Sequence, residues 1–593
     1  MSLAKSSVTA QTERRRWPLL KHLPILAVIA VLACFFLWPL VQVLYRSLSG
    51  GGAIDYLHPS ITFAHYASLF TDPAIGLVLK NTIVISVLSA LVSLLVGFPL
   101  AYLMSRVSAR TAMVIYSLIL LPLGVNILVR LFGVLQLFAP NGPVNWTLAQ
   151  WGLSKVNLLY TTGMVVFGMV IYLLPILVLV LYSGMVAVEP SLITAAKAAG
   201  ASGTQAFMRV FLPLVRSSTI GGTLLIFVLA LGFFVTPDVL GTPSNMMISV
   251  YISGQVQNYQ WGESSAAGMV LLVVALAFAM IAIKLSGLAS LASYGGGGKG
   301  VGRREPLRLS VSSVILWGVC VVAITSLLAP LVLVVVASVD PHLYPTWPPS
   351  SFSLTWYVDA FTDPRWSTAA FTSLRVAVYA MILATLMGFF GARALLATRS
   401  KVLGGTLVGV FYAPLIVPSI LLAIGTLDTQ RVMGLFGTDL GLAAAQACLS
   451  VPFTVTIFLA SLRAIDHRLE EAAWTLGASK RHATLRVVVP LILASAIGAA
   501  LISFLNSWDE VVIAVFQTTG DSATLPVLFY SYVKEGFRPT INAVGTLLIL
   551  LAAAIITFSS MRNKRPRTKK TKAFDVESSG PTLGAIEEKA VRV

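Results

Sequence analysis

Long apolar stretches recur along this chain, and short polar segments separate them. A helix needs about 20 mostly apolar residues to cross a bilayer core of about 30 Å, whereas membrane barrel strands alternate in blocks of about ten residues. Six stretches in each half of the chain reach the helical length. The pattern predicts an all-α polytopic membrane protein of about 12 transmembrane helices in two six-helix halves, with spans near 23–46, 76–104, 113–138, 158–186, 217–237, 265–287, 311–338, 370–396, 403–426, 440–463, 491–516 and 541–560.

The composition agrees with a membrane class. Hydrophobic residues make up 57% of the chain and charged residues 11%, with a mean hydropathy of +0.87. Soluble domains are roughly 45–50% apolar and about 25% charged. The first apolar stretch follows Arg14, Arg15 and Arg16 but lacks a clear small-x-small cleavage site. We therefore expect it to be an uncleaved membrane helix and not a secretory signal.

Two polar segments, 277 residues apart, carry nearly the same sequence. Residues 194–214 and 471–491 are identical at ten of their 21 positions. Each contains a glycine, Gly200 or Gly477, and a later proline, Pro213 or Pro490. A basic loop that only follows membrane topology does not predict this matched spacing in both halves. The repeat therefore indicates a shared functional motif.

The motif resembles the coupling-loop signature of the membrane subunits of bacterial ABC importers, in which Glu-Ala-Ala precedes the glycine and Leu-Pro follows it. The resemblance implies a type I importer-like permease fold, in which each loop is an elbow that docks on a separate ATP-hydrolysing subunit. The chain departs from the signature at Thr194, where a glutamate is expected, so we expect the two halves to couple unequally. The implied coupling residues are Thr194, Ala195, Ala196, Gly200 and Pro213 in the first half, and Glu471, Ala472, Ala473, Gly477 and Pro490 in the second.

Local physical chemistry fits such an elbow. Gly200 and Gly477 permit a tight turn at the end of a short helix along the membrane face. Pro213 and Pro490 suit the first turn of the following span, where a missing N–H does no harm.

The repeat extends beyond the elbows at an offset of 291, because Tyr66-x3-Phe70-Thr71-Asp72-Pro73 recurs from Tyr357. The change of offset gives the first half 14 extra residues, which we place in the loop around 139–155. The glycine-rich linker between the halves fails the G-x4-G-K-[ST] phosphate-loop pattern, since Gly300 stands at the Ser/Thr position. The predicted organisation is a basic tail 1–21, a first permease domain 22–290 with coupling loop 189–214, a linker 291–310, a second permease domain 311–562 with coupling loop 466–491, and a tail 563–593.

Positive charge predicts the orientation. Basic residues gather in the N-terminal tail, in both elbows, in the linker and in the C-terminal tail, and these segments lie on one side if the spans alternate. By the positive-inside bias, both termini and both elbows are expected on the cytoplasmic side of the bacterial inner membrane. The basic run from Lys564 to Lys570 is expected to contact membrane lipid and not nucleic acid, because such clusters also serve as anchors to anionic lipid.

Two further runs, Leu231 to Gly241 and Ser507 to Ala514 followed by Thr524-Leu525-Pro526, resemble the first and second permease subunits of polyamine importers, fused head to tail. The resemblance implies a polyamine such as spermidine or putrescine as the solute. Iron(III), thiamine and aminophosphonate remain open, because permeases for these solutes share the cues. The implied partners are two copies of a cytoplasmic ABC ATPase and a periplasmic solute-binding protein.

Asp509 and Glu510 lie at the outer end of the eleventh predicted span. A carboxylate at mid-bilayer costs roughly 2.5–3.5 kcal/mol, so one this deep is expected to face a pathway, where it suits a cationic solute. The alternative is that both residues mark the water interface, where they cost little. Trp508 is a candidate path residue beside them, or a residue of the interfacial aromatic belt.

No spacing in the sequence predicts catalysis, a cofactor or a metal. Neither H-E-x-x-H nor G-x-S-x-G occurs, and the six histidines and three cysteines lack ligand spacing. We therefore expect a transport subunit without its own ATPase site. An ion-driven secondary carrier also uses six-plus-six repeats, but it usually needs more charges within its spans. An intramembrane enzyme is a third alternative.

Overall fold

The computed structural model describes residues 18–50, 61–286, 311–466, 468–536 and 538–562. The first 17 residues of the predicted N-terminal tail, the predicted linker 291–310 and the predicted tail 563–593 lie outside the described residues. Those that are described fold almost entirely into helices, with one isolated bridge between Ser49 and Ile61. The all-α expectation is confirmed.

The described residues of the first half form twelve helices. Asp72 caps the longest of them, accepting a hydrogen bond from the N–H of Ala74 at 2.8 Å, as expected of an aspartate at a helix start. The helices are α1 Ile25–Leu48, α2 Ala64–Thr71, α3 Pro73–Arg106, α4 Ala109–Leu123, α5 Ile127–Leu137, α6 Pro143–Gln150, α7 Thr162–Val186, α8 Pro190–Ala198, α9 Gly203–Leu231, α10 Val235–Leu240, α11 Ile248–Gln257 and α12 Trp261–Ser286.

The second half repeats this order without a helix at the position of α6. Residues 433–438, which are all described, form only a short connection there, so α6 occupies the region in which we placed the 14 extra residues. The helices are α13 Val311–Ala337, α14 Thr355–Thr362, α15 Pro364–Ala397, α16 Lys401–Tyr412, α17 Ser419–Val432, α18 Asp439–Arg463, α19 Arg468–Thr475, α20 Thr484–Trp508, α21 Val512–Gln517, α22 Leu525–Glu535 and α23 Thr540–Arg562.

Nine helices in the described residues are long and apolar enough to cross a membrane, or eleven if each of two bent pairs is one span. A shorter apolar helix, Thr540–Ile555, coincides with the twelfth predicted stretch. The continuous spans predicted at 113–138 and 403–426 are wrong in detail, because α4 and α5 meet at 95° and the helices before and after Pro418 meet at 100°. Asn126 starts α5 as an N-cap, accepting from the N–H of Leu128 at 2.9 Å, and its extended backbone breaks the helix.

The spans predicted at 217–237 and 491–516 also end early. Helix α9 stops at Leu231 and α20 at Trp508, and each is followed by a six-residue helix. Apolar residues lie on both sides of each break, which is why the apolar pattern alone missed them. The break in the second half falls at Asp509, one of the candidate path residues.

The two halves interlock through their first helices. Helix α1 packs against α12 of its own half and against α17 of the other half, while α13 packs against α5 and α3 of the first half. Two glycines allow these crossings: a Cβ on Gly133 would overlap the carbonyl of Pro330, and one on Gly425 would overlap the carbonyl of Pro39. Pro39 and Pro330 are equivalent by the offset of 291, so the same contact is made twice, once in each direction.

Candidate functional site

Both elbows end in the same turn. Gly200 and Gly477 have φ of +89° and +87°, a left-handed conformation that glycine adopts without steric cost. In each turn the residue after the glycine donates to a carbonyl five positions back, Ala201 to Ala196 and Ala478 to Ala473, both at 3.0 Å. The glycine N–H bonds three positions back, at 3.0 and 2.9 Å. This pair of bonds is the Schellman motif, and it satisfies the last carbonyls of each elbow helix.

Pro213 and Pro490 lie in the first turn of the α-helical segments Leu212–Leu231 and Val489–Trp508, as expected, but these segments are not the start of the helix. Helical structure begins at Gly203 in the first half and at Lys480 in the second, and the prolines lie ten residues further on. A π-helical turn, Phe207–Phe211 or Thr484–Val488, comes directly before each proline region. A proline ring clashes with the carbonyl four residues earlier in an α-helix, and the wider π turn relieves that clash in both halves.

The elbow helices present their candidate residues to solvent. Thr194, Ala195, Glu471 and Ala472 are exposed, while Ala196 and Ala473 are half-buried. Gly200 and Gly477 are open, because a Cβ on either would meet no atom within 4 Å. The two loops are therefore equivalent protrusions that differ in charge at their first coupling position.

Asp509 lies at the contact between the two halves. Its Oδ1 accepts from the backbone N–H of Ile127 at 2.8 Å, and its Oδ2 is 3.4 Å from Nη2 of Arg130. Both partners belong to α5 of the first half. The side chain of Arg130 is 2% exposed and that of Asp509 is 17% exposed. The guanidinium also lies over the ring of Tyr172, 5.0 Å from its centroid, so it is held between the carboxylate of Asp509 and an aromatic face.

Glu510 turns back toward its own half. Its carboxylate accepts from the N–H groups of Ile513 at 2.8 Å and Ala514 at 3.1 Å, which begin α21, and from Nε2 of Gln446 at 3.1 Å. A carboxylate at a helix N-terminus is favourable because unpaired N–H groups point toward it. Trp508 is half-buried and stacks on Phe504, with ring centroids 5.7 Å apart. The three candidate path residues are consecutive, yet their side chains have three different environments.

A second set of polar contacts crosses the halves near α10. Asp238 of the first half accepts from the hydroxyl of Tyr530 at 2.6 Å and lies 3.0 Å from Nζ of Lys534, both on α22. The ring of Phe234 flanks this contact, 6.1 Å from Tyr530. We use the name seam cluster for Arg130, Tyr172 and Asp238 of the first half with Asp509, Glu510, Tyr530 and Lys534 of the second.

Sequence reasoning missed Arg130 and the partners of Asp238. The available signal for Arg130 was its position inside an apolar stretch, since an ionisable residue there is costly and usually faces the interior of a bundle. The pairing itself could not be read from the sequence, because 379 residues separate Arg130 from Asp509. Among the residues that the structure describes, no group of three or more His, Cys, Asp or Glu side chains could hold a metal ion.

The family described as "Binding-protein-dependent transport system inner membrane component" matches the chain twice, at residues 93–289 and 380–570. The two matches together cover about two thirds of the chain. Each match contains one complete elbow and the long helix that follows it.

Several curated proteins align with parts of the chain. The spermidine/putrescine transport system permease protein PotB of Haemophilus influenzae is 31% identical over 250 residues, which cover 41% of this chain and 87% of that protein. PotC of the same organism is 31% identical over 239 residues, covering 40% of this chain and 91% of that protein. PotB of Escherichia coli is 26% identical over 253 residues, which cover 42% of this chain and 92% of that protein.

Solved structures with similarity include a chain of a bacterial ABC transporter involved in the import of the acidic polysaccharide alginate. It is 21% identical, with a TM-score of 0.41, and the match covers 47% of this chain and 98% of that chain. A second chain comes from a bacterial alginate ABC transporter in complex with an alginate pentasaccharide-bound periplasmic protein. It is 21% identical, with a TM-score of 0.40, and the match covers 47% of this chain and 97% of that chain.

Proposed function

Since this chain belongs to the family of binding-protein-dependent transport system inner membrane components and carries two permease domains, we propose that it moves a polyamine inward as the complete membrane permease of an ABC importer. The observation that carries the importer assignment is the pair of equivalent elbows, each within one family match and each closed by a left-handed glycine. The similarity to spermidine/putrescine permeases supports the polyamine.

Energy would come from outside the chain. In this proposal each elbow docks on one copy of a cytoplasmic ATPase subunit, and a periplasmic binding protein delivers the solute to the opposite face. The distribution of basic residues supports cytoplasmic elbows and cytoplasmic termini. The membrane location follows from the family and from the apolar helices.

The solute would pass between the halves at the seam cluster. This cluster contains three carboxylates, Asp238, Asp509 and Glu510, against two basic side chains, Arg130 and Lys534. Its formal charge is therefore negative, and a negative site favours a cationic solute. Ammonium groups of a polyamine could replace the two basic side chains on their carboxylates when the halves move apart.

The first experiment tests the energy source. We would reconstitute the purified chain in liposomes with and without its cognate ATPase subunit and measure ATP hydrolysis and uptake of radiolabelled spermidine and putrescine. The chain alone should neither bind nor hydrolyse ATP, and ATP-driven uptake should need the ATPase and the binding protein. Uptake by the chain alone under an ion gradient would favour a secondary carrier instead. ATP-driven uptake of thiamine, iron(III) or an aminophosphonate with no polyamine uptake would keep the class and change the solute.

The second experiment tests the path. The double variant Asp509→Asn/Glu510→Gln should lower spermidine uptake about tenfold or more, since one contact to a charged group contributes about 1.5–3 kcal/mol. Complex assembly should be intact. Asp439→Asn is the matched control, because Asp439 pairs with Arg375 within the second half, away from the seam cluster. Unchanged uptake in the double variant would remove both carboxylates from the path, and an effect on abundance alone would make them structural.

A further inference from the structure

Three pairs of equivalent positions form the base of the two elbows. Each base joins the longest helix of its half, α3 or α15, to the elbow helix and to the π turn that follows the elbow. The offset of 291 relates Tyr102 to Arg393 on the long helices, and the offset of 277 relates Ile193 to Glu470 on the elbow helices and Phe207 to Thr484 on the π turns. We call these sets the first joint (Tyr102, Ile193, Phe207) and the second joint (Arg393, Glu470, Thr484).

The second joint is polar. Nη1 of Arg393 donates to Oγ1 of Thr484 at 2.9 Å, and Nη2 donates to Oε1 of Glu470 at 3.3 Å. One planar guanidinium therefore connects the elbow helix to the π turn through two separate donors, which its fork geometry permits. The side chain of Arg393 is 36% exposed and that of Glu470 is 16% exposed, so the pair remains accessible to ions.

The first joint is apolar at the same three positions. The ring of Tyr102 packs edge-to-face on Phe207, with centroids 5.4 Å apart, and on Phe211 at 5.2 Å. Ile193 on the elbow helix is buried at 6% exposure. Aromatic pairs in this geometry contribute about 0.5–1.5 kcal/mol beyond their buried area, and this packing is not screened by salt. The guanidinium of Arg106 also lies over the rings of Tyr102 and Phe211, 5.2 and 5.4 Å from their centroids, so the joint adds a cation–π contact to the aromatic packing.

The adjacent carboxylates of the second elbow have different surroundings. Glu470 is half-buried and pairs with Arg393, whereas Glu471 is exposed. In the first elbow, Ile193 and Thr194 occupy the same two positions. The more buried position, Ile193 or Glu470, thus sets how the elbow is held. The exposed position, Thr194 or Glu471, sets what the elbow presents to a partner.

We propose that Arg393 is the positioning residue of the second elbow, and that the second elbow is held by a salt-sensitive polar joint while the first is held by an aromatic joint that depends less on salt. This inference rests on the proposed function, because it takes the elbows to be the docking points of the ATPase. In the intact complex, ionic strength would then act on one of the two docking contacts more strongly than on the other. Arg393 acts through the orientation of α19 and needs no contact with the ATPase.

The test uses the full chain in lipid nanodiscs, with its cognate ATPase titrated in at low and at high salt. The half-saturating ATPase concentration in nanodiscs measures docking, and spermidine taken up per ATP in liposomes, which have a closed lumen, measures coupling. At low salt, Arg393→Gln should raise the half-saturating concentration about threefold, within the range of an exposed ion pair. The variant should also lose part of the wild-type salt dependence. Arg399→Gln removes an exposed charge from the connection just after the same helix and is the matched control.

A triple variant keeps the test decisive if the single variant folds poorly. Arg393→Tyr/Glu470→Ile/Thr484→Phe places the first joint in the second half, and it should restore docking while leaving it less dependent on salt. Equal behaviour of Arg393→Gln and Arg399→Gln, or a triple variant with wild-type salt dependence, would overturn the inference. Failure of the wild-type chain to bind the ATPase would overturn the proposed function instead, and the two failures are therefore distinguishable.

Discussion

The two halves of this chain have the same backbone at their elbows and different side chains beneath them. Gly200 and Gly477 differ by only 2° in φ, and a π turn follows each elbow. The residues beneath them have diverged from an aromatic cluster around Tyr102 to an ionic contact at Arg393. The backbone turn in each repeat depends on one position that strongly favours glycine, whereas the packing beneath it has more than one physical solution.

The halves differ in the same way where they meet. The second half supplies Asp509 and Glu510 at the break after α20, while Gly232 and Phe233 stand at the equivalent positions of the first half. The first half supplies Arg130, to which Leu422 corresponds in the second when Gly133 is aligned with Gly425. The seam cluster is therefore asymmetric although the fold around it is repeated: at this break the second half offers two carboxylates and the first half a guanidinium.

The largest effect is expected from breaking the ion pair across the halves. Arg130→Leu leaves Asp509 mostly buried with a single backbone donor, and loss of one partner of a buried pair costs about 3–5 kcal/mol. The control, Arg375→Leu, breaks the exposed pair with Asp439 inside the second half and should cost less than about 1 kcal/mol. Thermal unfolding of the solubilised protein measures both. The double variant Arg130→Leu/Asp509→Leu should recover most of the stability. Equal losses in Arg130→Leu and Arg375→Leu would show that the pair across the halves stabilises the protein no more than the exposed pair does.

The helix crossings between the halves should come next. Alanine at Gly133 or at Gly425 would overlap a proline carbonyl of the other half, and overpacking costs about 1–3 kcal/mol. Because the two crossings are equivalent, we expect similar losses of thermal stability. Gly405→Ala is the control, since its Cβ meets nothing within 4 Å and it lies inside α16, where alanine gains about 0.5–1 kcal/mol over glycine. A large difference between Gly133→Ala and Gly425→Ala would mean that the halves interlock unequally.

Much of the fold could be predicted from the sequence, because long apolar stretches and a repeated motif are local signals. Hydropathy located the helices but not the bends after Leu123 and before Pro418, since both sides of each bend are apolar. The turn glycines were predictable because few residues tolerate a positive φ. The environments of Asp509, Glu510 and Trp508 were not, because they depend on contacts with residues far away in the chain. The positions of Pro213 and Pro490 depended on π turns that no sequence pattern indicated.

Substitution of the turn glycines should have a smaller effect on stability and a clear effect on coupling. Leucine at Gly200 or Gly477 would adopt a left-handed conformation at a cost of about 1–2 kcal/mol, and the local cost should be the same in both elbows because both sites are open. We expect Gly477→Leu to uncouple ATP hydrolysis from uptake more severely, since its elbow presents Glu471 and the first presents Thr194. ATPase stimulation and solute uptake would be measured for each variant separately. Equal defects would contradict the asymmetry alone, and wild-type behaviour of both variants would contradict the coupling assignment.

The smallest effect on stability is expected at Lys534, which pairs with Asp238, the carboxylate that the first half contributes to the seam cluster. Lys534→Met removes the ammonium that lies 3.0 Å from Asp238 but leaves the hydrogen bond from Tyr530. The lysine side chain is 43% exposed, so the stability loss should stay below about 1 kcal/mol. If Asp238 belongs to the path, the variant should nevertheless half-saturate at a lower polyamine concentration. The reason is that the ammonium of Lys534, which competes with the solute for this carboxylate, is gone. Lys155→Met, which removes an exposed ammonium that contacts only Asn141 among the hydrogen bonds of the described residues, is the control. An unchanged half-saturating concentration for Lys534→Met would leave the carboxylates of the second half as the sole acidic candidates for the path and would sharpen the difference between the halves.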